Sequence, residues 1–297
     1  MRPDELRGVI PAIATPFDED QNLDLDGLSV LTDFVISEGV HAIMTTGGTG
    51  EFPSLTRDER RLVTEAVVEQ AAGRIPIIAG TAACGTRETI QLTQDAKDVG
   101  AAAAIITAPY YFQLPQAALL EHYQTIARSV DLPVVLYNNP LYTGNNLSPA
   151  LIAELAEEPG IIGLKQSNAD MGQLVEVIRL VGDKISVCTG IDSQFYPALC
   201  MGAKGIFSTA AVVVPREMVS IYDGVNKGAY DEARSLHLKL QELNGLFEYD
   251  PGYVAPCKEA LRLLGLPGGP VRKPLPELTS DERRRVLEAL QGLGKTV

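Results

Sequence analysis

Eight short apolar runs, each followed by a stretch of helical length, recur along the chain at a spacing of roughly 20–34 residues. They lie at residues 9–14, 42–45, 75–79, 103–107, 133–137, 161–165, 185–189 and 205–208. The runs are nearly continuous in apolar residues, as strands buried on both faces of a parallel sheet are. Between them, segments 57–71, 87–99, 116–129, 149–157 and 171–181 carry the pattern of amphipathic helices. A doubly wound open sheet would stop near six strands, with a switch point in its order. Eight units predict an α/β fold of the (β/α)8 TIM-barrel type instead. Only helices follow the last run, starting near Pro215, Tyr230, Pro256 and Ser280. Residues 1–225 are therefore predicted to form the barrel, and residues 226–297 a C-terminal helical extension packed on it.

The net charge of -13, with no basic cluster longer than Arg283-Arg284-Arg285, argues against nucleic acid and anionic membranes as partners. It leaves an anionic small molecule open, because a few local backbone amides outweigh a global field. Cys84, Cys188, Cys200 and Cys257 lack any CxxC spacing and read as buried or reduced thiols of a cytoplasmic protein. The histidines are scattered, so no zinc or iron ligand set is expected. Residues 1–5 are acidic too early for a signal peptide, and no apolar stretch is long enough to span a bilayer.

A parallel barrel builds its active site at the C-terminal ends of its strands. Lys165 ends the sixth run, Ile161-Ile162-Gly163-Leu164-Lys165. An ammonium there loses hydration, which favours the free amine, and a free amine condenses with a carbonyl to a Schiff base. Tyr137 ends the fifth run. Gly47-Gly48-Thr49-Gly50-Glu51 follows the second, Gly190-Ile191-Asp192 the seventh, and Ser208 ends the eighth. The glycine turn lacks the pattern of a nucleotide loop, but successive N–H groups at Gly48 and Thr49 would cradle a carboxylate. A plain tight turn ahead of a helix near Thr56 is the alternative. Asp192 is equally suited to cap a helix starting near Ser193, and Ser208 to bond backbone at a strand end. Loop packing is the alternative reading of Tyr110 and Tyr111.

GGTGE at residues 47–51, PYY at 109–111, YNxP at 137–140 and GLKQS at 163–167, in this order, resemble the dihydrodipicolinate synthase / N-acetylneuraminate lyase superfamily. The resemblance runs through nearly the whole chain, including the segment Pro256-Cys257-Lys258-Glu259-Ala260-Leu261. It implies a cofactor-free barrel enzyme that forms a lysine Schiff base with pyruvate or another 2-oxo acid, as a homodimer or homotetramer. By position, Lys165 would be the Schiff-base lysine and Tyr137 the general acid/base. Gly48 and Thr49 would hold the 2-oxo acid carboxylate, and Tyr111 would complete the proton relay of a neighbouring subunit.

Three departures bear on the substrate. Tyr142 stands where the synthases carry an arginine for the second substrate's carboxylate, and a phenol is no substitute for a bidentate guanidinium. Gly48 replaces the first threonine of a Thr-Thr pair, which breaks the Tyr–Thr–Tyr relay that the resemblance implies. GGTGEF resembles the 5-dehydro-4-deoxyglucarate dehydratases, though their strand-five segment lacks this YNxP form. Ser167, Gly190, Asp192 and Ser208 resemble the polyol-binding set of the sugar-acid aldolases, with Ser193 replacing the acidic residue of sialic-acid enzymes. The expectation is a Schiff-base lyase that cleaves a 2-keto-3-deoxy sugar acid reversibly. The alternatives are a 4-hydroxy-tetrahydrodipicolinate synthase, a dehydratase of the deoxyglucarate type, and a non-catalytic 2-oxo acid binding barrel.

Overall fold

The computed structural model describes residues 1–248 and 252–297. Its eight parallel strands are β1 (Gly8–Pro11), β2 (Ile43–Thr45), β3 (Ile77–Gly80), β4 (Ala103–Thr107), β5 (Val134–Asn138), β6 (Ile161–Gln166), β7 (Ser186–Thr189) and β8 (Gly205–Ser208). They pair in the order β1-β8-β7-β6-β5-β4-β3-β2. Just past β1 the ring closes: Ala12 bridges Met44, and the Ile13 N–H donates to the Met44 carbonyl at 2.9 Å. The fold is the (β/α)8 barrel expected, followed by C-terminal helices. β1 ends before residue 14 because its hydrogen bonds pass from Ser208 of β8 to Met44 of β2 at residues 12–13. β3 begins later than its apolar run because Pro76 has no N–H to give the ladder.

Helices Arg57–Ala71, Gln116–Ser129 and Met171–Val181 match the amphipathic segments, and Thr86–Asp98 lies one residue from its own. Thr56 caps the first by a reciprocal box. Its hydroxyl accepts from the Glu59 N–H at 3.2 Å, and the Glu59 carboxylate accepts from the Thr56 N–H at 2.8 Å. Inside the barrel Ile10, Met44, Ile78, Ile105, Val135 and Phe207 pack together, while the outer strand faces bury against the helices. The filled centre leaves no channel through the barrel among the described residues. Among the described residues no helix is long and apolar enough to cross a membrane. All four cysteines are free; Cys188 and Cys257 are buried, but Cys84 and Cys200 are exposed.

Helix Val254–Leu263 begins two residues before the predicted Pro256, which sits in the first turn where a missing N–H costs nothing. It carries Lys258 to Glu51, whose backbone is left-handed at φ 56°. Lys258 Nζ lies 2.6 Å from the Glu51 carboxylate, with both side chains almost wholly buried. Lys258 also donates to the Pro270 carbonyl at 2.7 Å, and the Arg272 N–H donates to Glu51 at 2.8 Å. Removing one member of such a pair strands a buried charge. Lys258→Met is therefore expected to lose about 3–5 kcal/mol of folding stability. A lowered urea midpoint at unchanged slope is the check, and an unchanged midpoint would show that the ion pair is not needed.

Candidate active site

Tyr137 of β5 and Lys165 of β6 are register partners, so their side chains enter the barrel at one height. Lys165 Nζ lies 4.2 Å from the Tyr137 ring centroid and 5.8 Å from that of Phe207. The lysine is 6% exposed. Burial pushes the Tyr137 phenol up. The charge of Lys165 and bonding from the Ser167, Asn139 and Lys165 side chains outweigh it, leaving the phenol below its ordinary range. Asn139 Nδ2 donates to the phenol oxygen at 3.0 Å and fixes its direction. An amine beside a phenol that releases its proton readily is an arrangement for Schiff-base chemistry.

Gly190 owes its identity to this pair. A Cβ there would lie 2.5 Å from Lys165 Cε and 2.0 Å from Ser167 Oγ, so any side chain displaces the lysine. Gly48, Thr49, Tyr137, Lys165, Ser167, Gly190 and Asp192 line one cavity of about 440 Å³. The structure therefore brings together seven of the nine residues singled out in the sequence. Thr49 is buried, and its hydroxyl shares a 3.0 Å hydrogen bond with Thr209, just past β8.

Ser208 is fully buried behind the wall. Its hydroxyl donates to Asp192 and accepts from the Ala211 N–H at 2.8 Å. Asp192 also accepts from the Ala210 N–H at 3.1 Å, and burial raises its carboxyl above the usual range. Asp192 does not cap the turn at Ser193; together with Ser208 it holds the start of helix Ala210–Val213. Tyr111 lies outside its own chain's cavity, 89% exposed at φ 82°, with its ring against Phe112. Tyr110 packs edge-on to Phe52.

Among the described lining residues not singled out in the sequence are Asn139, Thr209, Glu248 and Tyr253. Asn139 and Thr209 are next to strand ends and fall under the strand-end rule. Glu248 and Tyr253 come from the C-terminal helical region, where no local pattern points to the barrel rim. Glu248 accepts from the Ser193 N–H and hydroxyl, both at 2.6 Å. Burial, and then the charge of Asp192, push its carboxyl up to about 7. A carboxylate from elsewhere in the chain thus stands against Ser193.

The family model described as "Dihydrodipicolinate synthetase family" matches residues 5–293. The chain belongs to this family. The 4-hydroxy-tetrahydrodipicolinate synthase of Methanospirillum hungatei is 39% identical over 286 residues, covering 95% of this chain and 98% of the relative. The synthase of Methanosphaerula palustris is 40% identical over 286 residues, with 95% and 98% covered. A crystal structure of the chloride-inhibited dihydrodipicolinate synthase from Acinetobacter baumannii, complexed with pyruvate, superposes with a TM-score of 0.94. It shares 35% identity and covers 98% of this chain and 100% of that one. As a member of the dihydrodipicolinate synthetase family the protein is an enzyme of the lyase class. The name its relatives share favours condensation over the sugar-acid cleavage that the motifs placed first.

Proposed function

We propose that Lys165 forms a Schiff base with pyruvate and that the resulting enamine adds to an aldehyde, as in the reaction for which the relatives are named. The register pair of Tyr137 and Lys165 in the rim cavity carries the proposal. The Lys165 amine adds to C2 of pyruvate, and Tyr137 protonates the departing hydroxyl, giving water, an iminium and a phenolate. The phenolate then takes a C3 proton, and the enamine and neutral phenol result. The amides of Gly48 and Thr49 hold the carboxylate. Tyr111 is assigned, on the resemblance, to a contact with a second copy of the chain.

The ring of 4-hydroxy-tetrahydrodipicolinate dissects into pyruvate and a four-carbon amino-acid aldehyde. The enamine C3 attacks the aldehyde carbon, which becomes the hydroxyl-bearing C4, and the alkoxide takes its proton from Tyr137. The substrate amine then adds to the iminium carbon and expels the Lys165 amine.

A second reading, reversible cleavage of a 2-keto-3-deoxy sugar acid, draws on the far end of the cavity. Among its described lining residues Lys165 is the only cation, whereas Asp192 and Glu248 are acidic. Tyr142 offers no guanidinium to a second carboxylate. Two assays separate the readings: pyruvate consumption with the amino-acid aldehyde, and pyruvate release from keto-deoxy sugar acids. The synthase reading expects the first to reach a kcat/KM on the order of 10⁴ M⁻¹s⁻¹ or more. Faster pyruvate release from a sugar acid would replace it with the aldolase reading. Consumption of a sugar acid without pyruvate release would indicate a dehydratase.

A further inference from the structure

Tyr137 is left as a phenolate when the product alkoxide takes its proton, so it needs a supply of protons. The surroundings of Gly48 bear on where that supply would enter. A Cβ at Gly48 would lie only 2.0 Å from the hydroxyl oxygen of Tyr253 and 3.2 Å from the ring carbon bearing it. The Tyr253 hydroxyl thus fills the volume that any side chain at position 48 would occupy. Both residues, with Tyr137 and Tyr142, line the rim cavity and a second cavity of about 640 Å³ beside it. The rings of Tyr253 and Tyr142 meet edge-on with centroids 6.0 Å apart. Exposure rises from the 8% of Tyr137, through the partly buried Tyr253, to the 58% of Tyr142.

Resting on the lysine chemistry above, we propose that Tyr253 relays protons between Tyr137 and solvent through Tyr142, within one subunit, from the place a side chain at position 48 would take. Two other polar neighbours do not suit the task. Thr49 is bonded to Thr209, and the Asn139 amide donates a hydrogen bond but has no proton to release. Burial, then the neighbouring phenols Tyr137 and Tyr142, hold Tyr253 well above the ordinary range, whereas Tyr137 lies below it. Tyr253 therefore stays protonated and passes a proton to Tyr137 only as its hydroxyl takes another from the solvent side. Tyr253 is a positioning and relay residue, since it acts on substrate through Tyr137.

Tyr253→Phe keeps the ring and removes the hydroxyl. Borohydride should still trap pyruvate on the variant, and KM for pyruvate should be unchanged. Exchange of the pyruvate methyl protons in D₂O and kcat should each fall by about 10²-fold. Gly48→Ser in the Tyr253→Phe background meets no hydroxyl, and its own hydroxyl should recover about tenfold of the exchange rate. A wild-type exchange rate in Tyr253→Phe, or a double variant no faster than Tyr253→Phe, would overturn the relay. Absence of a trapped adduct in the unaltered protein would instead overturn the lysine reading beneath it.

Discussion

Lys165→Ala is expected to abolish both turnover and the borohydride-stable pyruvate adduct while leaving the barrel folded. In the unaltered protein the adduct should add the mass of a reduced pyruvate imine, confined to the peptide that holds Lys165. The loss in kcat should approach about 10⁶-fold, the scale on which removal of a covalent nucleophile acts. Folding should be spared, because the side chain touches the cavity and the rings of Tyr137 and Phe207 and carries no part of the outer helix packing. Circular dichroism and the unfolding midpoint test that half of the expectation. A folded Lys165→Ala variant that still consumes pyruvate would rule out Schiff-base catalysis in this barrel. An adduct on any other lysine would move the site.

Tyr137→Phe should give a different signature. The lysine remains, so trapping should persist at long incubation, but the carbinolamine loses the acid that expels water. The expected fall in kcat is about 10²–10⁴-fold, the range for a positioned general acid/base. The pH dependence has a definite sign. Tyr137 works as a proton donor, so kcat should fall as pH rises through its pKa. Lys165 and the bonding side chains hold that pKa below the ordinary phenol value despite burial, so the limb should appear at lower pH than a free phenol would give. In Tyr137→Phe the limb should be absent. A limb that survives there belongs to another group and would remove Tyr137 from the acid role.

Much of this site was legible beforehand, and the reasons are local. Lys165 and Tyr137 end apolar runs, and a parallel strand that ends in a barrel delivers its last inward side chain to the rim. The register of β5 against β6 follows from the same alternation and sets the two residues side by side. The exceptions are instructive. Ser208 was a polyol ligand on the resemblance and a backbone-bonded hydroxyl on its strand-end position; its hydroxyl donates to Asp192 and accepts from the Ala211 N–H. Strand-end position alone does not say whether a hydroxyl faces the cavity or the loop behind it. Asp192 looked like a cap for its own turn and instead holds the start of a helix beyond β8.

The sequence by itself determined the barrel, the strand ends and the lysine and tyrosine that stand there. Each rests on a periodicity or an end rule that a few consecutive residues express. Only the tertiary structure decided which groups complete the rim. Thr49 meets Thr209 across 160 residues, Glu248 meets Ser193 across 55, and Tyr253 covers Gly48 from the far end of the chain. Helix Val254–Leu263 also brings Lys258 to Glu51 at the same turn. Contacts between such distant residues are set by how the C-terminal helices dock on the closed barrel, and docking depends on the packing of whole faces. No run of neighbouring residues encodes that, so the second phenol beside Tyr137 and the carboxylate on Ser193 became visible only in the folded chain.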